Sequence, residues 1–277
     1  FVNQKLIGSR KSYATIGGKG GRSTLIGLGK VGRPVITAAL FVFFAVGIIM
    51  PIVILVMESF MLKEGIYSLD NFTLHYWIGE SNPQIMEGLP GIFKNDEFIN
   101  SLFNSLRLTL VNGVFGTIFG QLLGYITAKG RGRLHGKLVE QLVFIPYLIP
   151  SVAFGGIYLS MFSQPQQIFG VTLVPALYGT FALLTLVSVV KHLPFAARAG
   201  TSNMLQISGE LEEAATIEGA GFFRRFVKIV FPLSKGGFIS GFMLIFVSIM
   251  KELDLIILIM TPTTSTLPYL AFTYQNG

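Results

Sequence analysis

The sequence contains no cysteine and few charged residues. The absence of cysteine among 277 residues excludes a disulfide framework and any metal site with thiolate ligands. Charged residues make up only 13% of the chain and hydrophobic residues 51%, with a mean hydropathy of +0.64. A soluble domain of this size carries more charge, so the composition predicts a membrane protein with several spans.

Acidic residues are also absent from residues 1–33, although this stretch contains seven lysines and arginines. We expect a basic cytoplasmic arm here that lies on an anionic membrane surface. The remainder, 34–277, is expected to form the transmembrane domain. The net charge of +7 does not indicate a nucleic-acid partner, because the basic residues are distributed between apolar segments.

Five apolar segments are long enough to cross a bilayer of about 30 Å. They are predicted at residues 34–58, 102–128, 140–162, 172–192 and 237–260. Proline interrupts two of them: Pro51 is expected to kink the first, and Pro146 and Pro150 break the third. Such breaks are tolerated where neighbouring groups or a water-filled cavity satisfy the freed backbone atoms.

Loop charge sets the predicted orientation. The loop 59–100 is mainly acidic, and the short loop at 129–137 is basic. Because positive loops stay in the cytoplasm, the N-terminus and the loop 193–236 are predicted to be cytoplasmic, and the chain is a multi-pass protein.

The loop 193–236 contains a short predicted helix. Ser208 is expected to cap it, and Glu212 and Glu213 lie in its first turns, where the positive end of the helix dipole favours acids. Ala214 and Ala215 leave one face nearly bare, which favours close docking by another protein.

The helix is followed by a turn and a second helix. Gly219 is expected to adopt the left-handed conformation that ends a helix. A basic and apolar helix then enters the membrane near Ile229 and Pro232. The spacing resembles the EAA loop of the permease subunits of ABC importers: Glu213-Ala214-Ala215, three residues, Gly219, nine residues, then Ile229-x-Phe231-Pro232, with Phe231 where that family usually has leucine.

This resemblance implies an all-α polytopic membrane protein with the type I permease fold of ABC importers. Its implied partners are two ABC ATPase subunits, a second permease half or subunit, an extracytoplasmic solute-binding protein and membrane lipid. ATP and Mg would be held by the ATPases, so this chain is expected to have no cofactor and not to be an enzyme. A bacterial inner-membrane location is implied, and in this class a final helix would follow Gly277.

Further resemblances indicate which group of ABC importer permeases this chain is most similar to. Lys251-Glu252-Leu253 resembles the KEL segment of iron(III)-type permeases, and residues 193–215 and 68–77 resemble other parts of them. Residues 13–22 resemble the linker between the halves of fused permeases, which implies a second half. Ferric iron is therefore the expected cargo. Sulfate, polyamine, phosphonate or sugar remain alternatives, as do a homodimeric permease and a membrane scaffold or enzyme without an ATPase.

Ionisable residues within apolar segments are candidates for a substrate pathway. Lys251, Glu252 and Asp254 fall in the fifth predicted span, where charges are costly and face a cavity or a partner. Lys251 and Asp254 share a helix face and are expected to be able to pair, so a structural ion pair is the alternative. In the second span, Gln121 lies among small residues that favour close helix packing, namely Gly116, Gly120 and Gly124.

No metal site is expected. His75, His135 and His192 are predicted in three separate loops, one outside and two inside, and cannot form one site.

Overall fold

The structure, a computed structural model, describes residues 27–85, 88–168 and 170–276. It divides into two compact units, one up to Thr73 and one from Leu74 onward, which are described separately. Most of the expected basic arm, and all of the stretch that resembles a linker, lie outside the described residues.

The first unit is dominated by one long apolar helix. Helix α1 (Gly29–Phe44) passes through a π-helical turn, Ala45–Ile49, into α2 (Met50–Glu58). Pro51 has no N–H to donate to the carbonyl four residues earlier, and the wider turn lies directly before it. The irregularity expected at Pro51 therefore takes the form of a π turn. The large side chains of α1 are exposed, as expected for a span that faces lipid.

The second unit consists of helices and one small hairpin. In chain order the elements are α3 (His75–Ile78), α4 (Asp96–Lys129), α5 (Leu134–Leu148), α6 (Ser151–Phe162), the antiparallel strands β1 (Gln166–Ile168) and β2 (Val171–Val174), α7 (Phe181–Met204), α8 (Gly209–Ile217), α9 (Phe222–Arg225), α10 (Phe231–Met250) and α11 (Leu267–Asn276). A second π turn, Phe226–Val230, joins α9 to α10.

Within the described residues, four helical stretches are long and apolar enough to cross a membrane: Gly29–Glu58, α4, α7 and Phe222–Met250. The pair α5 and α6 adds a fifth if it counts as one span, although it is bent by 98°. The structure thus gives four or five candidate spans, and the predicted five are reached when the bent pair is counted as one. The bend lies at Ile149 and Pro150, where the third span was expected to break.

Helix α4 is the centre of the second unit. Asn95 caps it by accepting from the backbone N–H groups of Glu97 and Phe98, at 2.9 and 3.1 Å. The small residues expected to allow close packing do so. A Cβ atom on Gly116 would lie 2.7 Å from Ile245 of α10, and one on Gly124 would lie 2.5 Å from the backbone nitrogen of Thr201 in α7. Helices α4 and α7 are therefore in contact at backbone distance, and α10 packs against α4 through the side chain of Ile245.

The fourth span differs from the prediction of 172–192. The apolar run at Val171–Val174 forms strand β2, and helix α7 begins only at Phe181, after Thr180 accepts a hydrogen bond from the N–H of Leu183. The helix also continues past Pro194 to Met204. Between α7 and α9, only residues 205–208 and 218–221 are non-helical, so the predicted loop 193–236 is largely helical.

The fifth span was predicted too late in the chain. It starts at Phe222 and ends at Met250, and residues 251–260 form turns instead of helix. The carboxylate of Glu252 accepts a hydrogen bond from the N–H of Leu255, at 3.1 Å, which stabilises a turn at this point. Leu255 and Ile256 are buried in the core, so their apolar character reflects packing against the helices.

Candidate coupling helix and buried polar cluster

Both ends of α8 have the predicted geometry. The Oγ of Ser208 accepts a hydrogen bond from the N–H of Glu210 at 3.3 Å. At the other end, Gly219 has φ +77°, its N–H donates to the carbonyl of Thr216, and the N–H of Ala220 donates to the carbonyl of Ala215. This pair of hydrogen bonds is a Schellman motif, which satisfies the last carbonyls of the helix and reverses the chain.

One face of α8 is exposed and partly apolar. Glu213 and Ala214 are exposed, and Ala215 is half-buried. Next to them, the side chains of Ile217 and of Phe223 in α9 are 86% and 80% exposed. An acidic residue, a bare alanine face and two exposed apolar side chains together form a surface suited to a protein partner.

Glu212, in contrast, faces away from this surface and is only 6% exposed. Its Oε2 accepts a hydrogen bond from the Tyr125 hydroxyl at 2.6 Å, and its Oε1 lies 2.6 Å from the Nζ of Lys129. Both partners belong to the last turns of α4. The four acidic and alanine residues from 212 to 215 therefore do not all lie on one surface.

The two residues predicted at the membrane entry lie within and just after the second π turn. Ile229 lies within the turn and is half-buried, and Pro232 is exposed at the start of α10. As in the first unit, the π turn ends two residues before a proline that lacks an N–H. Arg225, in α9, donates a hydrogen bond to Thr216 of α8 and so links the two helices.

Lys191 donates hydrogen bonds to two backbone carbonyl groups at the break in the third span. Its ammonium group donates to the carbonyl of Pro146 at 3.0 Å and also to that of Ile149. In a continuous helix the Pro146 carbonyl would accept from residue 150, which is a proline and has no donor. Lys191 is only 6% exposed, and it lies at the carbonyl end of α5, where the helix dipole favours a cation.

His192, predicted in a loop, is instead buried within α7. Its Nδ1 lies 2.9 Å from the carbonyl of Ser188, which can only accept, so Nδ1 carries a proton. Its Nε2 faces the carboxylate of Glu252, at 3.4 Å. Lys251 and Asp254 do not share a helix face, because both are exposed in the non-helical segment after α10, and the described residues show no salt bridge between them. Glu252 is the residue of this group that reaches the core.

Gln121 is 2% exposed and packs against Gly200, within the contact between α4 and α7. Within the described residues, neither side-chain polar atom of Gln121 has a hydrogen-bond partner. The predicted site residues thus fall into separate groups: α8 with its turn, Glu252 with His192, and Gln121 between two spans. Sequence reasoning missed Tyr125, Lys129 and Lys191, although a lysine inside an apolar span was a visible signal.

Comparison with known proteins gives a consistent family. The family model described as "Binding-protein-dependent transport system inner membrane component" matches residues 116–277, more than half of the chain. The sulfate transport system permease protein CysT of Synechocystis sp. is 27% identical over 57% of this chain and 54% of its own length. The trehalose transport system permease protein SugB of Mycobacterium tuberculosis is 26% identical, over 64% and 60%.

A third relative, the molybdate/tungstate transport system permease protein WtpB of Pyrococcus abyssi, is 27% identical over 58% of this chain and 60% of its own length. The chain thus spans little more than half the length of these relatives. Their names refer to sulfate, trehalose and molybdate or tungstate, so the expectation of ferric iron is not supported. The alternative of sulfate or a sugar fits better.

A solved structure supports the fold. The crystal structure of a bacterial alginate ABC transporter in complex with an alginate pentasaccharide-bound periplasmic protein has a chain that matches with a TM-score of 0.62. The match covers 87% of this chain and 81% of the other, at 16% identity. The arrangement of spans described above is therefore that of a type I ABC importer permease. The chain belongs to the family of binding-protein-dependent transport system inner membrane components.

Proposed function

We propose that this chain is the membrane subunit of an ATP-driven importer, and that α8 is the helix on which a cytoplasmic ATPase docks. The observation that carries the proposal is the exposed surface formed by Glu213, Ala214 and Ile217 on a helix with fixed ends. Two ATPase subunits, a second permease half or subunit and an extracytoplasmic binding protein complete the proposed importer. A cytoplasmic N-terminus is also part of the proposal, because the basic residues of the first 33 positions favour that side of the membrane.

The proposed cargo is a small polar solute of the kinds named for the relatives, an oxyanion such as sulfate or molybdate or a sugar such as trehalose. A cavity of about 480 Å³ lies between α4, α5 and α7 and is large enough for either class. Its lining includes Thr127, Gln141, Arg198 and Ser202, which can donate hydrogen bonds to a solute, and Glu140, whose carboxylate only accepts and disfavours an oxyanion.

The docking role predicts that α8 variants lose the ATPase. Gly219→Val places a β-branched residue at φ +77°, which costs about 1–2 kcal/mol and disturbs the turn that ends α8. Glu213→Lys reverses an exposed charge. In both variants of the full-length protein, the ATPase that co-purifies with the wild type in detergent is expected to be lost, and import with it.

Gly132→Val is the matched control for backbone strain. Gly132 has φ +85° and open space around it, but it lies between α4 and α5. This variant is expected to retain the ATPase. Normal co-purification and import in both α8 variants would contradict the proposed docking site.

The cargo proposal predicts a selective transport defect. Cells that lack the gene are expected to lose uptake of one of radiolabelled sulfate, molybdate or trehalose, and to keep uptake of ferric iron. The measurement is initial uptake rate with each solute at low external concentration. Loss of ferric iron uptake alone would reject the proposed cargo classes.

A further inference from the structure

The membrane-facing side of α8 is bound to the end of α4 through one carboxylate. Glu212 accepts a hydrogen bond from Tyr125 and pairs with Lys129, each at 2.6 Å. The side chain of Glu212 is 8% exposed and that of Lys129 is 38% exposed, so the pair is screened from solvent mainly on the α8 side. A carboxylate bound in this way is costly to separate from its partners.

The ring of Tyr125 also contacts the helix that re-enters the membrane. It packs edge-on against Phe222 and Phe226, with ring centroids 5.7 Å apart in both cases. The Nζ of Lys129 lies 5.9 Å from the centre of the same ring. The side chain of Tyr125 in α4 therefore contacts α8, α9 and the second π turn.

We infer that Glu212 is a positioning residue that transmits displacement of α8 to α4, and that it acts through Tyr125 and Lys129. The inference rests on the proposed docking of an ATPase on α8. Glu213 is exposed and available to that partner, whereas the carboxylate of Glu212 is covered by α4. A push on the exposed face of α8 therefore reaches α4 through Glu212.

From α4 the displacement passes on to two other spans. Gly120 and Gly124 of α4 are in backbone contact with α7, and Gly116 contacts Ile245 of α10. Close packing leaves no free space at these contacts, so α4 cannot shift without moving its neighbours. Packed elements of this kind carry energetic coupling between distant sites.

The test uses the full-length permease assembled with its ATPase and binding protein in proteoliposomes. Tyr125→Phe removes one hydroxyl group, and Lys129→Met removes one charge. Both complexes are expected to contain the ATPase at the wild-type ratio. Import per ATP hydrolysed, measured with whichever of radiolabelled sulfate, molybdate or trehalose the wild type transports, is expected to fall by about tenfold, within the range of known coupling between sites.

Arg131→Met is the matched control, because it removes an exposed charge two residues beyond Lys129 and is expected to leave coupling unchanged. A charge exchange adds a second criterion. Lys129→Glu and Glu212→Lys are each expected to uncouple transport, and the double variant is expected to restore most of the import per ATP. A purely structural role for the pair would lower the yield of complex and leave import per ATP unchanged.

The outcomes distinguish the proposed role of Glu212 from the proposed docking of an ATPase on α8. If Tyr125→Phe and Lys129→Met retain the ATPase and the wild-type import per ATP, the role of Glu212 is refuted and ATPase docking stands. If no ATPase co-purifies with the wild type, the proposed function is refuted and this inference falls with it.

Discussion

A Gly120→Val variant is expected to yield little folded protein. A Cβ atom at this position of α4 would lie 2.7 Å from the carbonyl carbon of Ala196 and 2.9 Å from the nitrogen of Ala197. These are backbone atoms of α7 that cannot rotate out of the way. The destabilisation is therefore expected to reach or exceed the upper end of the roughly 1–3 kcal/mol typical of overpacked cores.

The measurement is the fraction of monodisperse protein after extraction in detergent, together with its thermal stability. Gly236→Val serves as the control, because Gly236 lies in α10 with no atom within 4 Å of a Cβ position. Equal yields and melting temperatures for the two variants would show that α4 and α7 are farther apart than described.

A Lys191→Met variant is expected to destabilise the bend between α5 and α6. Methionine keeps most of the side-chain volume but leaves the carbonyls of Pro146 and Ile149 without their donor. Both hydrogen bonds are half-buried, so the total loss is expected to be about 2 kcal/mol, at the lower end of the cost of leaving two buried carbonyls unsatisfied. Transport is expected to fall because α5 lines the proposed solute cavity.

Stability of this variant is best followed by unfolding in increasing denaturing detergent. Lys191→Arg is expected to recover part of the loss, since arginine also donates to carbonyls but differs in shape. Lys137→Met, which removes an exposed lysine at the start of α5, is expected to change stability by less than about 0.5 kcal/mol. Wild-type stability of Lys191→Met would show that another group satisfies the two carbonyls.

Local signals predicted much of the fold. The span through α4 was predicted from a continuous apolar pattern and its glycines, and the ends of α8 from Ser208 and Gly219. The hairpin was missed because Val171–Val174 is as apolar as a span, and hydropathy alone does not separate a short apolar strand from a helix. The end of α7 was predicted too early, because the polar residues Lys191 and His192 were interpreted as the point where the span leaves the membrane.

The contacts that correct these errors are distant in sequence. Lys191 and His192 are tolerated inside a span because Pro146 and Glu252 supply partners from other elements. In the same way, Glu212 and Glu213 are both acidic and adjacent, and the sequence does not reveal which one faces α4. Adjacent side chains of an α-helix point about 100° apart, so only one of the two can face α4. The contacts with Tyr125 and Lys129 identify Glu212 as that residue.

The two π turns each allow the helix that contains them to change its length and its rotation together. Each ends two residues before a proline, at Ile49 before Pro51 and at Val230 before Pro232. A π turn holds one residue more than an α turn, so converting Phe226–Val230 to α geometry would rotate one part of the helix against the other by about 100° and move it by about 1.5 Å. The π turn between α8 and α10 therefore links any such shift along the helix axis to a rotation about that axis.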